Sequence, residues 1–179
     1  MAKITGGNRF ETLLRNVDER TTWNVGKALF VAADEVKVEA QISLTTGAVS
    51  GKNHMPSKPG SAPNNDTGVL ANNIEAVQVG PLKAEVSSNA PYAAIQEYGG
   101  TINHPGGTPY FIGKDGLARF VSKQGEGAFH HLPVTKPHTI TLPERPYMRP
   151  ALAAKRQRIR ELIKGAIRAA IKGQAGGDR

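Results

Sequence analysis

The sequence predicts an α+β fold: a long N-terminal helix and a C-terminal helix packed on a small, mostly antiparallel sheet, with a β-hairpin excursion and a long flexible loop. Three observations carry this. Apolar residues recur at steps of three and four, without an interrupting proline, from Arg9 to Leu44, and recur at helical spacing again from Pro150 to Ile171. Between those stretches the period shortens to two, in brief runs bounded by glycine and proline. There is no internal repeat and no linker flanked by two cores, so a single domain over residues 1–179 is expected.

Residues 1–8 are small and polar and are expected to fray. In the first helix Leu14, Val17, Thr21, Val25, Ala28, Ala32, Val36 and Ala40 form the apolar stripe, widened by Phe10, Leu13, Leu29 and Leu44. At 1.5 Å per residue this helix reaches about 50 Å, longer than one small domain needs. Residues 47–65 gather glycine, proline, serine and asparagine and read as a flexible loop, made slightly basic by Lys52 and Lys58. Asp66 or Thr67 can cap a short helix from Gly68 to Asn73. Residues 76–79 and 83–87 alternate and should pair as a hairpin around Gly80-Pro81.

Pro91 then suits the first turn of a short helix, on which Tyr92, Ile95 and Tyr98 share one face. Gly99 and Gly100 end it, since glycine tolerates the left-handed conformation that closes a last turn. Residues 108–112 and 117–121 predict a second hairpin, with a glycine-rich tip from Ser122 to Phe129 and a returning strand at 138–142. The span 101–138 is thus a β-excursion. Prolines at 143, 146 and 150 stiffen the entry to the last helix. Gly173 is expected to stop that helix and leave residues 173–179 as a loose tail.

Composition excludes several functions. The chain has no cysteine, so neither disulfides nor thiolate metal sites are available. Aromatic residues make up 6% of it, too few for a base-stacking platform. The five histidines show no ligand spacing, and no metal or cofactor is expected. No phosphate-binding Gly-x-x-x-x-Gly-Lys loop, no Gly-x-Ser-x-Gly elbow and no cluster of carboxylates occurs, so an enzyme is not expected. No apolar run reaches bilayer length and none resembles a secretion signal. The net charge of +8 is uneven: residues 144–179 hold +7 of it. That asymmetry concerns partners, and it reads either as a solvated basic helix face or as a surface for DNA phosphates or acidic protein. Lys52, Lys58, Arg156, Arg160, Lys164 and Arg168 are the candidate phosphate contacts.

Three short motifs occur in a fixed order between the two helices: Asp66-Thr-Gly-Val-Leu70, Pro91-Tyr-Ala-Ala-Ile-Gln-Glu-Tyr-Gly99 and Pro143-Glu-Arg-Pro-Tyr-Met-Arg-Pro-Ala151. Together they resemble the tail-completion or neck family of long-tailed bacteriophages, also described as minor tail or virion morphogenesis proteins. The resemblance spans residues 10–170, and the 101–138 excursion departs from the shorter members. It implies a non-enzymatic virion protein at the head–tail junction, made in the host cytoplasm. It further implies a homo-oligomeric ring, expected to be a hexamer, that terminates the tail tube and joins it to the head-closure or connector protein. DNA would pass through its lumen. The rival functions are a free, non-specific DNA-binding protein using the basic C-terminal helix, and a tail-assembly chaperone absent from the finished virion.

The candidate interface and structural residues are Trp23, Tyr92, Glu97, Tyr98, Gly99, Arg145, Pro146 and Tyr147. Glu97 and Arg145 either form an ion pair joining the two motif stretches, within one subunit or across two, or stand exposed and unpaired. Tyr92, Ile95, Tyr98, Tyr147 and Met148 are expected in the core or at a seam. Trp23 lies off the main stripe and is either a subunit-contact anchor or a core residue.

Overall fold

A computed structural model describes residues 7–121 and 131–175. Helix α1 (Gly7–Thr45) and helix α4 (Met148–Ala175) form the scaffold. Between them run α2 (Val69–Asn72), β1 (Ile74–Gly80), β2 (Lys83–Ser88), α3 (Ala93–Tyr98), β3 (Gly100–His104), β4 (Tyr110–Ile112), β5 (Ala118–Phe120) and β6 (His138–Leu142). The class is the α+β arrangement the sequence predicts, with helices lying against antiparallel strands. The strands form three separate two-stranded ladders, not one sheet.

The two long helices run antiparallel, because Lys155 of α4 bridges to Glu39 of α1 at 2.9 Å while Arg158 bridges back to Glu35 at 3.2 Å. Alanines at 32, 33, 40, 151 and 170 are buried, which brings the two backbones close. Around this seam Val36, Leu44, Leu70, Ala71, Ile74, Ala90, Ala93 and Tyr147 complete the core. The hairpin β1–β2 lies across α1, with Ile74 opposite Ser88 and Ala76 opposite Val86. Its turn presses on Gly26, where an added Cβ would stand 2.3 Å from the Pro81 carbonyl oxygen.

Residues 47–65, read from the sequence as a flexible loop, are tied to the rest of the fold by hydrogen bonds. Asn65 N–H donates to the Leu44 carbonyl at 2.9 Å, Gly60 N–H to the Glu144 carbonyl at 2.9 Å, and Gly51 N–H to Asp66 Oδ1 at 2.8 Å. Asp66 is therefore used to hold the loop and does not cap α2, whose N-cap is Gly68, with no side-chain hydrogen bond. The helix α4 starts at Met148, two residues before Pro150, and continues past Gly173 to Ala175. Proline in the first turn breaks no hydrogen bond, and glycine near a helix end weakens a helix without ending it. Of the expected frayed start (residues 1–8), Gly7 and Asn8 belong to α1; residues 1–6, the glycine-rich tip (122–129) and the end of the tail (176–179) lie outside the described residues. So do the side chains of Phe10, Leu13, Leu14 and Val17.

The excursion is an antiparallel β-arm. Its base is β3 paired with β6, from Gly100 opposite Leu142 to His104 opposite His138. The ladder continues through the Pro109–Val134 bridge, with Thr135 N–H donating to the Thr108 carbonyl at 3.0 Å. Beyond it β4 pairs with β5, Tyr110 facing Phe120. At the arm's root Gly99 adopts φ 67°, ψ −172°, a region open essentially only to glycine. An added Cβ there would also meet Glu144 N at 2.7 Å and Leu142 O at 2.8 Å. Gly99→Ala is accordingly expected to destabilise the fold by about 2–4 kcal/mol, strain plus displaced backbone, read as a lower urea midpoint with an unchanged m-value. A loss below about 0.5 kcal/mol would remove this account of the root.

Candidate functional site

The two motif stretches meet at Glu97. The first four amides of a helix have no partner within it and need an acceptor from outside. The chain entering α4 reads Glu144-Arg-Pro-Tyr-Met-Arg-Pro and offers no serine, threonine, asparagine or aspartate to supply one. Glu97, on α3, supplies it instead. Tyr147 and Met148 N–H donate to Glu97 Oε2 at 2.8 and 2.9 Å, and Arg149 N–H to Oε1 at 3.0 Å. The next residue, Pro150, has no N–H to satisfy. One carboxylate thus takes every amide donor at the start of α4, and the first internal bond follows from Ala151 N–H to the Tyr147 carbonyl.

Arg149 closes the arrangement from outside. Its Nε donates to Glu97 Oε1 at 3.0 Å, and its Nη2 donates both to the Glu97 carbonyl at 2.7 Å and to Glu144 Oε2 at 2.8 Å. Its guanidinium also lies over the Tyr98 ring, 5.1 Å from the centroid. Glu97 is 4% exposed and is the one buried charged residue among those described. Burial by itself would raise its pKa. The amides of Tyr147, Met148 and Arg149, and then the Arg149 side chain, outweigh burial and hold it below the ordinary 4.5. Beside it Tyr147 is 1% exposed. Burial pushes the Tyr147 phenol upward, and a hydrogen bond with Ser88 opposes that while the Glu97 charge adds to it.

The expected pair of Glu97 with Arg145 is therefore corrected: the partner is Arg149, one helical turn further on. Arg145 serves the same junction differently. Its N–H donates to the Gln96 carbonyl at 2.7 Å and its Nε to the Ser57 carbonyl at 3.2 Å, tying the 47–65 loop to the approach of α4. Pro146, half-buried, sits between these two functions.

Helix α3 removes the core reading for Tyr92 and Tyr98. Its buried residues are Ala93 and Glu97, while Tyr92 is 38% and Tyr98 67% exposed. The aromatic side thus points away from the core, and the seam reading stays open for Tyr92 and Tyr98. Tyr147 is the core residue expected, and Met148 packs at the core's edge. Trp23 is 62% exposed, which removes the core reading, and Lys27 Nζ lies 3.4 Å from its ring centroid.

Two surfaces remain without a partner among the described residues. The first is the arm: no described residue from Gly100 to Pro146 is buried, while Ile102, Phe111, Ile112, Leu117, Phe120 and Val134 are exposed. The second is the outward side of α4, where Arg156, Arg160, Lys164 and Arg168 are all exposed and join no salt bridge among the described residues. Lys52 and Lys58 are exposed too, but on a loop tied to residues 144 and 145, ahead of α4, so the structure does not add them to that row. Among the described residues no helix is long and apolar enough to cross a membrane. Comparison of the chain with protein-family models, with curated proteins and with solved structures finds no match.

Proposed function

We propose that this is a structural virion protein of the phage head–tail junction, a ring-forming tail terminator that closes the tail tube and joins it to the head connector. The resemblance of the three motifs supports this reading, and one observation carries it: apolar surface outweighs apolar core. Of the thirteen buried hydrophobic residues described, eight are alanines, and only Tyr147 and Leu44 are large side chains buried completely. Against them stand twenty-two exposed large hydrophobic residues, sixteen of them on α1, β1, the arm and α4. Scattered apolar residues are ordinary on a monomer, but a whole arm without a buried face is not.

An arm and a long helix on one chain make two different surfaces. Pairing one with the other on the next copy is a heterologous contact, which closes into a ring when its rotation divides the circle. The tail tube protein and the connector protein are the proposed neighbours above and below. Light scattering on the purified chain tests this. The expected result is a concentration-dependent rise from 19.1 kDa toward about 115 kDa, the mass of six copies. A monomer at every concentration, with no ring in the presence of tail tubes, would overturn the proposal. Mass spectrometry of purified virions separates it from a chaperone, which would be missing from the particle.

A further inference from the structure

We infer that the outward face of α4 binds the phosphate backbone of duplex DNA without reading its sequence. The helix sorts its cations by side. Lys155 and Arg158 face α1 and are neutralised there by Glu39 and Glu35. Arg156, Arg160, Lys164 and Arg168 recur every four residues, so successive members are about 40° apart around the axis and fall within a sector of about 120°. That sector is centred about 170° from the two paired cations, on the side turned away from α1.

The row is linear and long. From Arg156 to Arg168 it runs about 18 Å along the helix, which matches about five base pairs of duplex axis. One acid, Glu161, flanks it, and Gln157 Nε2 donates to that carboxylate at 3.3 Å. Helix α4 contains no aromatic residue. Its exposed isoleucines in this sector, Ile167 and Ile171, lie toward the C-terminal end, and no exposed large apolar residue lies between Arg156 and Lys164. Protein interfaces centre on buried aromatic or apolar anchors, and single strands are held by aromatic stacking. A row of point charges with neither fits the evenly charged edge of a duplex.

This inference does not require the ring. It is tested on the full chain by fluorescence anisotropy with a labelled duplex of about 20 base pairs, titrated from about 50 to 200 mM NaCl. Four phosphate contacts predict a log–log slope of about −3.6 per bound chain, a loss of roughly 150-fold over that range. The variant Arg160→Gln/Lys164→Gln should show a slope of about −1.8 and a loss of roughly 12-fold. The variant Lys155→Gln/Arg158→Gln, altered on the α1 side, should keep the original slope. Undetectable duplex binding at the lowest salt would overturn the inference, as would equal effects of the two double variants. Displacement of duplex by poly-glutamate at matched charge would overturn it in favour of an acidic protein surface. Light scattering on the same samples reads ring formation separately, so either result can fail alone.

Discussion

Glu97→Ala is expected to destabilise the protein by about 3–4 kcal/mol, lowering Tm by roughly 10 °C for a chain of this size. The substitution leaves three amides at the start of α4 without an acceptor in a place water cannot easily reach. Losing an ordinary cap costs about 1 kcal/mol. Here the acceptor is ionised, serves three amides and a guanidinium, and is buried, so several charge-assisted bonds are lost together. Glu97→Gln should be nearly as harmful, because one carboxylate oxygen becomes an amide donor facing N–H groups. Exchanging the charges, Glu97→Arg with Arg149→Glu, should rescue neither single variant. Arginine accepts no hydrogen bond, and most of what Glu97 receives comes from the backbone. Recovery of wild-type Tm by that exchange would show that the ion pair matters and the amides do not.

The same site sets a pH dependence. The folded-state pKa of Glu97 lies below its ordinary 4.5. A group depressed by folding contributes stability above its unfolded value and loses it as pH falls through the folded value. The Tm difference between wild type and Glu97→Gln should therefore be level from about pH 7 down to 5 and shrink below about 4.5. A difference that grew on acidification would contradict the assignment of the amides as the dominant partners.

What the sequence displayed and what it hid divide along physical lines. The long helices were legible because their stripes repeat many times, as were β1–β2 and β6, whose residues alternate. The pairing partner of β6 was not, since Gly100-Thr-Ile-Asn-His104 holds one large apolar residue and alternates weakly. The sequence leaves the facing of α3 open between core and seam, because a helix of six residues is too short for its stripe to settle which side is buried. Tyr92 and Tyr98 look like a core face, yet the buried side is the one that can hold a carboxylate. Glu97 stands out in the sequence as the important acid, but its partner is Arg149 and not Arg145, inside the proline-rich entry. One signal pointed further on: a helix start with no capping residue and a proline in its first turn needs a remote acceptor for just the amides that remain. Arg149 lies among those amides, and Arg145 lies a turn before them.

Excising the arm is expected to abolish self-association while leaving the fold almost intact. Thr101 and Thr141 are opposite each other at the arm's base, so replacing residues 102–140 by Asn-Gly joins two already paired strand ends with a two-residue hairpin turn. The core should hardly notice. None of its residues lies in the arm, and the Glu97 clamp and the Gly99 root are both retained. Tm should stay within about 3 °C of wild type, the scale of about 1 kcal/mol for this size. The proposed assembly, by contrast, loses the apolar surface of the arm: Phe111, Ile112, Leu117 and Phe120 are all exposed. An isolated two-stranded ladder is at best marginally stable in water, so the arm would gain order under the proposed neighbour. Light scattering of the shortened chain should show a monomer at concentrations where the full chain forms rings. A shortened chain that still closes rings would move the interface to the exposed faces of α1 and β1. A shortened chain that unfolds would mean that the arm stabilises its own subunit, and the imbalance between core and surface would then need a different explanation.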